Sequence, residues 1–192
     1  MTVPVVADVL AFWFAAENAA RWYVADAAFD AEIRERFGEL ASEAAEGRLA
    51  RWADTPGGWL ALLILLDQFS RNLYRNDARA WAQDDSAQRL ALSGIARGDD
   101  HRLSPLQRVF AYMPLEHAES MELQQRSVEL FDRLCHDVPP EQREPFDNFL
   151  AYAKKHRDVI GRFGRFPHRN AALGRIDTPQ EARYLAQPGA GF

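Results

Sequence analysis

From Trp59 to Asn72 the sequence is apolar on nearly every side. A surface helix keeps one wet face, so such a segment is stable only as a helix surrounded by other helices. That requirement points to an all-helical packing, and the rest of the chain supplies the neighbours. Val5 to Phe14 starts just after Pro4, a residue suited to a first helical turn. Phe29, Ile33, Phe37, Leu40 and Ala44 recur at helical spacing, with Gly47 as a stop. Asp84 to Arg97 predicts another helix, closed by Gly98. Ser104-Pro105-Leu106-Gln107 has the form of a capping box with proline at the first helical position. Thr178-Pro179-Gln180-Glu181 repeats that form before a short terminal helix that Pro188 ends. Pro114 is expected to break the helix begun at Pro105, and a longer helix is expected from Leu115 to Cys135. Pro139-Pro140 forces a connection, followed by a helix from Glu141 to Phe163. No alternating strand pattern, low-complexity segment, linker or solenoid repeat is visible.

A chain of 192 residues fits a single helical domain, 1–192. Its 47% hydrophobic and 11% aromatic content predicts a packed core rather than disorder. The net charge of −5 argues against a nucleic-acid partner. One cysteine, Cys135, excludes an intramolecular disulfide and a cysteine-based zinc site, and its place on an apolar helix face predicts an inert core thiol. The longest apolar run, Trp59 to Leu66, is far short of a membrane span, and no secretory leader pattern is visible, so the expected location is the cytoplasm.

Several polar residues fall where these helices should be apolar. With Leu115 to Cys135 read as one helix, Met121, Leu123, Val128, Leu130, Phe131, Leu134 and Cys135 define an apolar face that also carries Glu116, His117, Ser120 and Gln124. A buried carboxylate must be paired or lose its charge, so this face predicts either an internal network or a polar pocket. The helix ending at Phe163 repeats the anomaly, with His156 in the stripe of Phe146, Phe149, Leu150, Ala153, Ile160 and Phe163. In the buried segment, Asp67 and Arg71 stand four apart and can pair on one face.

The densest feature is a basic turn, Arg162-Phe163-Gly164-Arg165-Phe166-Pro167-His168-Arg169-Asn170. From Lys154 to Arg175 seven Lys or Arg face one acid, Asp158, in a chain that is acidic as a whole. Guanidiniums, an imidazole and an amide in one turn suit an anion. Arginines that cap helix carbonyl ends are the alternative, and Phe163 and Phe166 argue against a purely solvated loop.

Four segments, Val9 to Phe14, Leu65 to Asn72, Tyr112 to Glu119 and Arg162 to Asn170, resemble in that order the motifs of a mainly bacterial family catalogued as domain of unknown function 924. The resemblance covers nearly the whole chain, and Ser70 departs from the proline expected there. It implies an all-helical fold of the tetratricopeptide-like superfamily, with antiparallel helix pairs in a right-handed array. It implies no activity and no catalytic residues.

The residues themselves favour a site for a small phosphorylated or carboxylated metabolite. Its ligand-binding side chains would be Arg71, Gln124, His156, Arg165, His168, Arg169 and Asn170, with Glu116 and His117 as acid/base groups. Two alternatives stay open at this point: a non-catalytic scaffold for a peptide or protein partner, and a metal site built from His117, Glu116 and His156. No cofactor is indicated.

Overall fold

A computed structural model describes residues 5–191, all of whose regular structure is helical. Pro4 lies outside the described residues. In chain order the helices are α1 Val6–Trp13, α2 Ala16–Ala19, α3 Ala27–Ala45, α4 Pro56–Leu63, α5 Ser70–Leu73, α6 Asp84–Arg97, α7 Pro105–Glu116, α8 Met121–Asp137, α9 Glu144–Phe163 and α10 Pro179–Leu185. Short 3-10 turns join several of them, and a π-helical segment, Ile64–Phe69, links α4 to α5. The chain divides into two compact units. The first runs to Arg75 and resumes over Arg79–Pro114, and the second comprises Asn76–Ala78 and the chain from Leu115 onward.

In the first unit, the apolar run forms the expected central helix, with Trp59 to Leu66 and Phe69 all buried. Phe12, Trp13, Phe29, Phe37, Phe69 and Phe110 stack around it at centroid separations of 5.1–6.2 Å. Such ring pairs add to plain area burial because edges and faces meet favourably. Helix α6 approaches α4 closely because residue 94 is glycine. A Cβ there would stand 2.1 Å from the Trp59 ring, whose Nε1 donates to the Leu90 carbonyl at 2.8 Å.

The π-helical turn was not legible in the sequence, and it coincides with the two polar residues of the buried run, Asp67 and Gln68. The expected pair forms: Arg71 Nη1 lies 3.0 Å from Asp67 Oδ1. Arg71 Nη2 also reaches both carboxylate oxygens of Asp84, at 3.1 and 3.3 Å. Burial works against the Arg71 charge, but Asp67 and Asp84 outweigh it and raise its pKa.

In the second unit α8 and α9 pack along their lengths, joined by a short connection around Pro140–Gln142. Helix α9 begins at Glu144, three residues later than expected, because Pro140–Gln142 forms its own 3-10 turn. Gly164 ends α9 with φ 69°, a left-handed conformation that glycine adopts without strain, and its N–H donates to the Ile160 carbonyl.

One sequence expectation is corrected here. Leu115 to Cys135 is not one helix: α7 continues through Pro114 to Glu116, and α8 starts afresh at Met121. Proline removes its own N–H from the ladder and crowds the carbonyl four residues back, a cost that α7 bears near its end. The break comes later, where the Ser120 hydroxyl caps α8 by accepting from the Leu123 N–H at 3.4 Å. Met121, expected on the apolar face, is consequently 49% exposed.

Candidate functional site

The turn between α7 and α8, residues 117–120, together with Glu116 before it, gathers most of the residues in question. Gln124, fully buried on α8, donates from Nε2 to the carbonyls of Glu116 at 2.5 Å and Ala118 at 2.9 Å. It thereby satisfies carbonyls that the end of α7 leaves open. Glu116 Oε1 stands 2.9 Å from Nδ1 of His156 on α9, both side chains being buried. The Tyr152 carbonyl also lies 2.9 Å from that nitrogen. Both neighbours are acceptors, so the proton belongs on Nδ1, and Nε2 is left as the basic nitrogen of the ring.

The basic turn folds onto the same place. Arg169, in the 3-10 turn Pro167–Arg169, donates to the His117 carbonyl at 2.9 Å and lies 4.5 Å over the Phe166 ring. Phe166 is fully buried, with His156 edge-on at 5.6 Å and His168 tilted against it at 5.6 Å. The His117 ring lies 6.1 Å from that of His156. Burial, then the charge of Arg169, push His168 down to about 4, so its imidazole is neutral at pH 7.

Glu119 and Arg175 hold Phe166 by its peptide groups. The Phe166 N–H donates to Glu119 Oε1 at 2.7 Å, and Arg175 Nη2 donates to the Phe166 carbonyl at 3.1 Å. Arg175 closes the clamp with bonds of 2.7 and 2.9 Å to the two Glu119 oxygens. Burial opposes the Glu119 charge, but Arg175 and the Phe166 N–H outweigh it and lower the carboxyl below its ordinary range.

Not every expected residue joins this cluster. Arg165 makes a bidentate bond to Glu181, at 2.6 and 2.8 Å, and reaches the Ile176 carbonyl at 2.9 Å. With the Thr178 N–H, Arg165 holds the buried Glu181 carboxyl well below the usual range. Asn170, buried beside Arg169, donates to Asp177 at 2.7 Å. Arg71 belongs to the first unit and its acid pair. Cys135 is buried, and burial followed by Asp147 raises its thiol to about 11, so it stays protonated at neutral pH. Among the described residues no group of three His, Cys, Asp or Glu side chains is arranged to hold a metal ion. None of their helices is long and apolar enough to cross a membrane.

A model of a family described as bacterial proteins of unknown function, DUF924, matches residues 9–189. The chain belongs to the DUF924 family. A solved structure, of a protein of unknown function from Agrobacterium tumefaciens, is 39% identical to it with a TM-score of 0.84. That similarity covers 94% of this chain and 96% of the other. Comparison with curated proteins gives no match. In this DUF924 chain, sequence reasoning misses three members of the cluster: Glu119, Phe166 as its central ring, and Arg175 as its clamp. The signal for Glu119 was its place at the end of the Tyr112–Glu119 motif; for Phe166 it was an aromatic inside a basic turn.

Proposed function

We propose that the second unit binds a small anionic metabolite, phosphorylated or carboxylated, at the turn following α7. The observation that carries this reading is the convergence there of His117, His156, His168 and Arg169 beside the buried Glu116. A guanidinium and imidazoles grouped in a partly dry setting attract an anion more strongly than the same groups in water. Glu116 and His156 form the acid/base pair: the carboxylate fixes the tautomer, and Nε2 is the atom that exchanges a proton with a bound substrate. His117 and His168, both half-buried, border the site. The α8–α9 pair enters the proposal as one hairpin of the tetratricopeptide-like right-handed array that the family resemblance implies. The cytoplasm, where such metabolites are abundant, is the proposed location.

Thermal denaturation in rising phosphate tests the reading, with chloride at equal ionic strength as the control. A ligand that binds only the folded state raises the melting temperature with the logarithm of its concentration over Kd. A saturable rise in wild type that is lost in Arg169→Ala and partly restored in Arg169→Lys is the expected result. Indistinguishable phosphate and chloride curves would reject it.

A further inference from the structure

The network of the second unit closes most of its own hydrogen bonds, and the atoms it leaves over have a pattern. Gln124 is oriented by the two carbonyls to which its Nε2 donates. Its buried Oε1 therefore faces away from them and has no donor among the described residues. Asn170 repeats the arrangement: Nδ2 is committed to Asp177, and the buried Oδ1 has no donor among the described residues. Ser127, fully buried one turn beyond Gln124 on the same face of α8, has an Oγ without a partner among the described residues. Arg175 spends both terminal nitrogens on Glu119 and the Phe166 carbonyl, which leaves its buried Nε–H without an acceptor among the described residues.

Folded proteins leave few buried polar atoms unsatisfied, because each costs the free energy of its lost hydration. The set here is chemically mixed. Two amide carbonyls require donors, a guanidinium N–H requires an acceptor, and a hydroxyl can serve either way. A bare inorganic anion answers the guanidinium and offers little to the carbonyls. A carboxylate or phosphate that also carries hydroxyl groups answers all of them.

Resting on the function proposed above, we infer that the ligand is a hydroxylated anion, a hydroxy acid or a sugar phosphate. Its acidic oxygens turn toward Arg169 and Arg175, and its hydroxyl groups toward Gln124, Asn170 and Ser127. A site built around ligand hydroxyls discriminates strongly against an analogue lacking them, since the protein groups then stay buried and unpaired.

Calorimetric titration with pairs of like charge tests this: malate against succinate, and glycerol 3-phosphate against propyl phosphate. In wild type the hydroxylated member of at least one pair binds about tenfold tighter or more. The pair that responds tells carboxylate from phosphate. Ser127→Ala breaks no hydrogen bond within the described structure, so it folds as wild type does while the preference drops at least about threefold. Equal affinity within both pairs overturns the hydroxyl assignment and leaves anion binding standing. No binding of any of the four overturns both. A preference undiminished in Ser127→Ala and in a folded Asn170→Ala means that the hydroxyls are read elsewhere, and the left-over acceptors then hold buried water.

Discussion

Glu116 and His156 meet at 2.9 Å across two helices that the sequence separates by forty residues, and both are buried. The carboxylate does not float in the core as a lone charge, because the imidazole N–H meets it directly. Removing it takes the charged partner from the buried Nδ1–H and leaves that group only the Tyr152 carbonyl. Glu116→Ala is therefore expected to destabilise the protein by about 1–3 kcal/mol. Chemical denaturation reads this as a lowered midpoint, and an unchanged midpoint would show that the pair contributes nothing to folding.

His168 makes stability depend on pH. Its folded pKa of about 4 lies below the ordinary 6.5, so between these values the unfolded chain binds a proton that the folded chain refuses. Stability is then full above about pH 6.5 and is lost as pH falls toward 4, by up to roughly 3 kcal/mol. Glu119 and Glu181 act from about pH 4.5 downward, because both carboxyls are depressed and their stabilisation goes as they protonate in acid. His168→Gln should flatten the denaturation midpoint between pH 6.5 and 4 and leave the more acidic fall in place. Imidazole signals of His168 that titrate near 6.5 in wild type would refute this account.

Arg165 and Glu181 tie the turn after α9 to the capping box of α10. Arg165→Ala should lower the melting temperature by a few degrees and loosen α10, measured by amide hydrogen exchange at residues 179–185. Arg165→Lys should recover only part of the loss, since an ammonium cannot make the two parallel bonds of the guanidinium fork. Protection of α10 equal to wild type in the alanine variant would mean that the capping box suffices alone.

Gly94 sets the approach of α6 to α4. Gly94→Ala places a methyl group 2.1 Å from the Trp59 ring, so something must move. Overpacking of this kind costs about 1–3 kcal/mol, which here exceeds the gain of up to about 1 kcal/mol that alanine brings to a helix interior. The expected outcome is a lowered denaturation midpoint with a disturbed Trp fluorescence spectrum. A variant at least as stable as wild type would show that the two helices separate freely.

Features that depend on near neighbours were legible in the amino-acid order. Both capping boxes form as read, Ser104 with Gln107 and Thr178 with Glu181, because each closes within one turn of chain. The stop at Gly98 and the Asp67–Arg71 pair are local in the same sense. The burial of Glu116, Gln124 and His156 was legible too, from polar residues in apolar stripes. Their partners came from the packing of the helices. The π-helical turn at Asp67, the break after Glu116, the bond from Glu116 to His156, the Glu119–Arg175 clamp on Phe166 and the bond from Arg165 to Glu181 had no such local signature. Three of these five are contacts between residues too far apart for any window of helical periodicity to contain, and the break follows from Ser120 capping the next helix start. Pairing energy depends on distance in space, and a guanidinium takes whichever carboxylate the packing of the helices brings within reach.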